Sequence, residues 1–127
     1  MKHILTCSFG KDSIATALLA LQHGEPLDEL VYSEVMFSDT VSGELPEHKR
    51  FIYETAIPYF EKRGIPTRVL RGQKTYLDCF YHIVSRGNAE GKLASFPLTG
   101  RCSIQRDCKL PPIRTYQKTL PQDTVYY

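Results

Sequence analysis

The sequence predicts an α/β fold built around a mainly parallel sheet. Short apolar runs alternate with segments of helical periodicity along the chain, which is typical of βαβ units. The pattern is clearest at the N-terminus, where a short apolar run leads through a polar turn into a strongly amphipathic stretch. The length of 127 residues fits a single domain, and we expect residues 1–127 to form it.

The first strand spans His3–Cys7 and is followed by the polar turn Ser8–Ser13. The wide apolar stripe after the turn predicts a helix. We expect Asp12 or Ser13 to cap its amino end, since both are good N-cap residues. Gly24 stands where a left-handed C-terminal residue belongs.

A second strand and a long helix are predicted next. The apolar run Leu30–Phe37 predicts strand two. The second helix opens within Ser42–Pro46 and stops at Gly64. Pro58 lies inside this helix and predicts a kink or a break near Ile57, because proline removes a hydrogen-bond donor.

The remaining predicted elements are shorter. Strand three spans Thr67–Arg71. Thr75 followed by Asp78 resembles a capping box, which opens a helix to about Val84. A loop and a basic segment follow, and two further elements are predicted near the C-terminus: a helix over Pro112–Lys118 and a strand over Thr124–Tyr127.

Composition excludes several classes of protein. No apolar run is long enough to span a membrane, and the N-terminus lacks the pattern of a secretory leader. We therefore expect a cytoplasmic protein whose four cysteines are reduced thiols or ligands, not a disulfide framework. The formal net charge of +2 is too small for non-specific nucleic-acid binding, and it leaves a nucleic-acid partner open.

The turn after the first strand carries the strongest functional signal. It consists of Ser8, Phe9, Gly10, Lys11, Asp12 and Ser13. A helix N-terminus presents unpaired amides and a positive dipole end, and Gly10 permits the close approach of a ligand. The serine hydroxyls and the Lys11 charge complete a site suited to phosphate or pyrophosphate. The alternative is a capped strand–helix turn with a surface lysine.

Two familiar phosphate loops do not fit this turn. A Walker A loop needs a glycine at the position of Leu5. A dinucleotide fingerprint needs three spaced glycines, and the turn contains only Gly10.

The turn instead resembles the PP-loop, Ser-Gly-Gly-x-Asp-Ser, of the adenine nucleotide α-hydrolase-like superfamily, with Phe9 at the first glycine position. That superfamily includes ATP pyrophosphatases and phosphoadenosine-phosphosulfate reductases. The segment Phe37–Thr40 resembles the end of the second strand in this group. Arg101-Cys102-Ser103 followed by Lys109-Leu110-Pro111-Pro112 resembles the reductase-type Arg-x-Cys-Thr…Lys-x-x-Pro signature, with different spacing.

The resemblance implies a three-layer, doubly wound, Rossmann-like fold of the adenine nucleotide α-hydrolase-like type. It implies that the Ser8–Ser13 turn binds ATP or an adenylyl phosphosulfate, with the adenine near Asp39 at the carboxyl edge of the sheet. Mg²⁺ could accompany ATP, held by Asp12 or Asp39 directly or through water, and an N-cap role for Asp12 is the alternative. Three basic residues would face the anionic end of the substrate, with a solvated basic patch as their alternative: Arg101, Arg106 and Lys109.

The resemblance also implies an enzyme of the phosphosulfate-reductase or ATP-pyrophosphatase type, with Lys11 and Asp12 at the reacting phosphates. Phosphosulfate reductases use a cysteine in a C-terminal Glu-Cys-Gly-x-His-type tail, a motif this sequence lacks. Cys102 or Cys108 could replace that nucleophile, since the neighbouring arginines favour a thiolate. The alternatives are a non-catalytic nucleotide-binding or interaction module and an α/β domain that binds another anion.

Four residues could supply nitrogen and sulfur ligands for zinc, or thiolates for an iron–sulfur cluster: Cys79, His82, Cys102 and Cys108. Their spacing is not a recognised ligand pattern, so we expect buried or surface thiols. A disulfide between Cys102 and Cys108 is disfavoured in a reducing cytosol.

The C-terminal strand would lie beside strand one, where relatives in the superfamily usually continue with more sheet. An exposed strand edge invites pairing. We therefore expect a minimal or shortened domain that lacks the C-terminal part of its relatives, or a homodimer or larger complex that covers this edge.

Overall fold

A computed structural model describes residues 1–95 and 102–127 of the chain. This part of the chain contains four strands: β1 (His3–Thr6), β2 (Glu29–Glu34), β3 (Thr67–Arg71) and β4 (Val125–Tyr126). It contains five α-helices: α1 (Lys11–His23), α2 (Pro46–Phe51), α3 (Ile57–Glu61), α4 (Tyr76–Phe80) and α5 (Leu110–Gln117). Two π-helical turns, Ile52–Ala56 and Gln105–Lys109, lead into α3 and α5.

The four strands form one sheet in the order β3-β2-β1-β4, and every neighbouring pair is parallel. Ile4 of β1 lies opposite Glu29 of β2, and His3 lies opposite Val125 of β4. This arrangement confirms the α/β class and the parallel sheet. It also confirms that the C-terminal strand lies beside β1 at an edge of the sheet, whereas a dimer through that edge stays a prediction.

The main core lies between the sheet, α1, the π-helical turn Ile52–Ala56 and α3. Its buried residues are Leu5, Cys7, Phe9, Ala17, Leu30, Tyr32, Ile52, Ala56, Phe60 and Ile65. Ile113 of α5 is also buried, and it lies beside Ile4 and Val31. Of the helices in the described residues, none is both long and apolar enough to cross a lipid bilayer.

Helix α1 begins earlier than predicted. Gly10 is its N-cap, with an extended backbone, and no side chain caps the helix, so the prediction of Asp12 or Ser13 as the cap is wrong. Ser13 lies inside the first turn of α1 and not at its N-cap. Its hydroxyl donates to the Gly10 carbonyl at 3.1 Å. At the other end, Gly24 adopts φ +68° as predicted, a conformation that glycine tolerates because it lacks a Cβ.

Strand β2 ends at Glu34, short of the predicted end at Phe37. Beyond it the chain folds back, and the Gly43 N–H donates to the Val35 carbonyl at 2.8 Å. A Cβ at Gly43 would lie 2.7 Å from the Val35 carbonyl oxygen, so glycine permits the close approach that stops the strand.

The predicted second helix runs without a gap from 46 to 61, as α2, the π-helical turn Ile52–Ala56 and α3. At the position of the predicted kink or break near Ile57, the structure shows this change of hydrogen-bond pattern and not a gap. Pro58 lies in the first turn of α3 and has no N–H to continue the π-helical pattern.

The later helices differ from their predicted bounds. The capping box forms as predicted, since the Asp78 N–H donates to the Thr75 hydroxyl and the Thr75 N–H donates to the Asp78 carboxylate. However, α4 ends at Phe80 and not near Val84. Helix α5 begins at Leu110, before the predicted Pro112, because the preceding π-helical turn already provides helical backbone.

Candidate functional site

The turn after β1 places the predicted anion-binding residues at the carboxyl edge of the sheet. β1 runs through buried Cys7 and Phe9 directly into the N-terminus of α1. Because no side chain caps α1, its first-turn amides remain able to bind an anion. Lys11 and Asp12 are the first residues of the helix, and both are exposed.

Hydrogen bonds bring Ser8, Gly10 and Ser13 together within this turn. The two serine hydroxyls lie 3.3 Å apart, and the Gly10 N–H donates to the Ser8 hydroxyl at 3.4 Å. Ser8 is exposed and Ser13 is half-buried. A hydroxyl hydrogen can rotate, so both serines can donate to an oxyanion placed at the turn.

Phe9, which the PP-loop resemblance aligns with a glycine, adopts a left-handed backbone with φ +58°. This conformation costs a non-glycine residue about 1–2 kcal/mol. Its ring is 2% exposed and packs edge-to-face on Tyr32, with ring centroids 5.4 Å apart. The turn therefore has the backbone shape that favours glycine, and burial of the ring offsets the strain.

Cys7 lies beneath the turn as a core residue. Burial raises the pKa of its thiol, and a hydrogen bond with Ser13 and one with the Phe9 backbone only partly oppose this. A buried, protonated thiol is a poor nucleophile, so Cys7 has a packing role.

Asp39 lies in the loop after β2, at the same edge of the sheet as the turn. The Phe37 N–H donates to the Val41 carbonyl at 2.8 Å, and the Val41 N–H donates to the Ser38 hydroxyl at 3.1 Å, which closes the loop. Both Asp39 and Asp12 are exposed. Accessible carboxylate oxygens are the type of ligand that Mg²⁺ prefers.

A buried carboxylate that the sequence patterns did not predict lies at the end of β2. Glu34 is 0% exposed and accepts hydrogen bonds from Tyr53 at 2.6 Å, Arg71 at 2.9 Å and Ser42 at 2.9 Å. Burial by itself would raise the pKa of Glu34, but these hydrogen bonds outweigh burial and lower it. The available signal was an acidic residue at the end of a strongly apolar run, since glutamate is almost never fully buried unless it is paired.

A second buried carboxylate, Glu29, lies at the opposite end of β2. It pairs with Lys2, accepts a hydrogen bond from Arg68 at 2.7 Å and accepts one from Tyr116 at 2.9 Å. Glu29 therefore links Lys2, which directly precedes β1, with Arg68 of β3 and Tyr116 of α5. It lies at the amino end of β2, away from the candidate site at the carboxyl edge.

The basic segment before α5 is only partly described, because Arg101 lies outside the described residues. Arg106 makes a bidentate ion pair with Asp107, with both N···O distances at 2.9 Å. This contact raises the pKa of Arg106 and lowers that of Asp107. Lys109 is half-buried, and its carbonyl accepts a hydrogen bond from Ser33 of β2 at 2.9 Å.

Two cavities open where β3 and α4 meet this segment. The larger one, about 640 Å³, is lined by Arg71, Lys74 and residues of α5. The second, about 390 Å³, is lined by Lys74, Cys79 and Arg106 among others. The residues of the Ser8–Ser13 turn, all of which are described, line neither cavity, so the structure places Arg106 in a cavity separate from the turn.

Two of the four candidate metal ligands lie together. The sulfur atoms of Cys79 and Cys108 are 3.4 Å apart, and His82 lines the same cavity as Cys79. Cys102 is exposed, and its sulfur accepts a hydrogen bond from the Gln105 N–H at 3.5 Å. Within residues 1–95 and 102–127, no group of three or more His, Cys, Asp or Glu side chains is arranged to hold a metal.

Comparison of the chain with protein-family models, curated proteins and solved structures gives no match, so its function has to be inferred from the site and from the PP-loop resemblance of the Ser8–Ser13 turn.

Proposed function

We propose that this protein binds an adenine nucleotide, ATP or an adenylyl phosphosulfate, through the Ser8–Ser13 turn. The observation that carries the proposal is the construction of the turn. It joins a strand to an α-helix that no side chain caps, it holds two serine hydroxyls 3.3 Å apart, and it exposes Lys11. Amide donors, hydroxyl donors and one full positive charge together suit a phosphate.

The position of the turn in the sheet supports the same proposal. From β1 the chain proceeds to β2 and β3 on one side, whereas β4 lies on the other side. Ligands of open parallel sheets bind outside the carboxyl ends of the strands where the strand order reverses. This order supports the three-layer, doubly wound, Rossmann-like fold of the phosphoadenosine-phosphosulfate reductases and their superfamily.

The left-handed backbone of Phe9 is a further argument for the PP-loop. That motif has a glycine at this position, and glycine is the residue that adopts such a backbone without strain. The backbone at Phe9 is therefore one that a glycine would adopt without strain, which supports the resemblance.

In the enzymatic form of the proposal, a nucleophile attacks the α-phosphorus of ATP and pyrophosphate leaves. The amides at the start of α1 and the Lys11 ammonium stabilise the charge on the leaving group. Mg²⁺, held by Asp12 or Asp39, would neutralise phosphate charge, and Asp39 would lie near the adenine. With a phosphosulfate, Cys102 is the candidate thiol that attacks the sulfate sulfur; the S–O bond to the phosphate breaks, the adenosine phosphate leaves, and an added dithiol then reduces the Cys102 thiosulfonate to release sulfite.

Isothermal titration calorimetry with ATP, adenosine phosphosulfate and phosphoadenosine phosphosulfate tests this proposal. We expect Lys11→Ala to weaken binding by about 1–3 kcal/mol, which is about 5- to 150-fold. Lys62→Ala is the matched control, because it also removes one lysine charge. Lys62 is the C-cap of α3 and lies at the opposite, amino edge of the sheet. We expect Lys62→Ala to leave the affinity unchanged.

The possible outcomes separate the alternatives. No binding of any of the three nucleotides at millimolar concentration would refute the proposal, and equal affinities for wild type and Lys11→Ala would refute the placement of the site. Release of pyrophosphate or sulfite would identify an enzyme, and binding without release would identify a nucleotide-binding module. If Cys102 is the nucleophile, Cys102→Ser abolishes sulfite release and leaves the nucleotide affinity intact.

A further inference from the structure

Cys79 and Cys108 form a buried thiol pair outside the proposed nucleotide site. Their sulfur atoms lie 3.4 Å apart although the residues are 29 positions apart in sequence. Cys79 belongs to α4, and Cys108 belongs to the π-helical turn before α5. We infer that this pair is an oxidation site, at which a small hydroperoxide converts the two thiols into a disulfide.

The geometry of the pair suits this reaction. A disulfide bond is about 2 Å long, so the two sulfurs must approach by about 1.4 Å. They are already in contact, so adjusting the two side chains, with a small shift of either short element, closes the gap. Oxidation would break the weak hydrogen bond of 3.5 Å that the Cys108 thiol donates to the Thr75 carbonyl.

The surroundings of the two sulfurs give them different roles. Cys79 lines the cavity of about 390 Å³ that Lys74, His82 and Arg106 also line, which is roomy enough for hydrogen peroxide. Both residues are buried, with Cys79 5% and Cys108 1% exposed, and Cys108 does not line that cavity. Burial and the neighbouring Cys79 raise the pKa of Cys108 to about 12. Cys79 is therefore the sulfur that meets the oxidant, and Cys108 is the thiol that resolves it.

The chemistry balances with hydrogen peroxide as the oxidant. The Cys79 sulfur attacks one peroxide oxygen and the O–O bond breaks, which leaves a sulfenic acid on Cys79 and releases one water. The Cys108 sulfur then attacks the Cys79 sulfur, the S–O bond breaks, and the hydroxide leaves as a second water with the thiol proton. The two sulfurs together lose two electrons, and the two peroxide oxygens gain them.

A disulfide here would connect two parts of the carboxyl edge. The first amides of α4 hold the loop after β2, because the Tyr76 N–H donates to the Met36 carbonyl at 2.8 Å and the Leu77 N–H donates to the Phe37 carbonyl at 3.1 Å. Oxidation would therefore fasten the segment that carries Arg106 to the helix that supports the Asp39 loop. The inference does not rest on nucleotide binding.

Mass spectrometry of the full chain tests this inference. The reduced protein is treated with hydrogen peroxide, denatured, alkylated at its remaining thiols, and mapped by proteolysis. Wild type should show one intramolecular disulfide between Cys79 and Cys108, a mass decrease of about 2 Da before alkylation, and reversal by a thiol reductant. Cys102→Ser is the matched control, and it should give the same disulfide because Cys102 is exposed and apart from the pair.

Single substitutions in the pair test the order of events. In Cys108→Ser, the sulfenic acid on Cys79 should persist and be trapped by a 1,3-dione reagent. In Cys79→Ser, no sulfenic acid should form at Cys108. Two results in the wild-type protein would overturn the inference. One is that Cys79 and Cys108 are still free thiols when Cys102 is already oxidised, and the other is a disulfide that includes Cys102. Both are measured on wild type, so they do not depend on whether either variant folds.

Discussion

The left-handed backbone of Phe9 leads to a prediction that separates two opposing contributions to stability. The ring is 2% exposed and packs on Tyr32, whereas the backbone has φ +58°. Replacing Phe9 with alanine removes the ring and keeps a Cβ. Replacing it with glycine removes the ring and also relieves the backbone strain, so the two variants form a matched pair.

The expected magnitudes follow from burial and from the backbone angle. Loss of a buried phenylalanine ring destabilises a folded protein by about 3–5 kcal/mol, and we expect this for Phe9→Ala. At an ordinary position, glycine is less stable than alanine by about 0.4–1 kcal/mol. At a left-handed position, alanine carries a penalty of about 1–2 kcal/mol. The second effect is larger, so Phe9→Gly should be more stable than Phe9→Ala by about 1 kcal/mol.

Urea unfolding followed by circular dichroism measures these differences. The three proteins should share one m-value, so that shifts in the midpoint report free energies of unfolding. If Phe9→Ala is as stable as Phe9→Gly or more so, the backbone at this position is not left-handed. If both variants lose less than about 1 kcal/mol, the ring does not contribute to the core as its burial indicates.

Two other substitutions test the buried contacts around the carboxyl edge. Glu34→Gln should lower the free energy of unfolding at neutral pH by about 2 kcal/mol, because a neutral amide loses the charge-assisted hydrogen bond from Arg71 and the acceptor geometry of the carboxylate. Because folding lowers the pKa of Glu34 below the ordinary value of 4.5, its contribution is present above that value and is lost as the pH falls through the folded-state pKa. The difference between the two proteins should therefore shrink in acid, and a difference that stays constant down to about pH 3 would contradict this linkage. Gly72→Ala should cost about 1–3 kcal/mol because its Cβ would lie 2.6 Å from the Cys108 carbonyl oxygen; an unchanged melting temperature would mean that β3 and the π-helical turn pack less closely.

Local signals in the sequence predict several elements whose physics is local, although the local N-cap of α1 was predicted wrongly. Strand β3 has its predicted bounds, Gly24 ends α1, and Thr75 caps α4, since each depends on a few adjacent residues. Boundaries set by distant partners were predicted wrongly. Strand β2 stops before Phe37 because the chain returns through Gly43, a contact that neither segment encodes separately.

The candidate site divides in the same way. The amino-acid sequence alone identifies the Ser8–Ser13 turn as the proposed anion site, because the residues that would bind the anion are consecutive between a strand and a helix. It does not identify the Glu34 hydrogen-bond network, and it groups Cys79 and Cys108 only as two of four candidate metal ligands. Their members come from separate strands and helices, so the order of the parallel strands and the packing of α4 and the π-helical turn against them bring these side chains into contact.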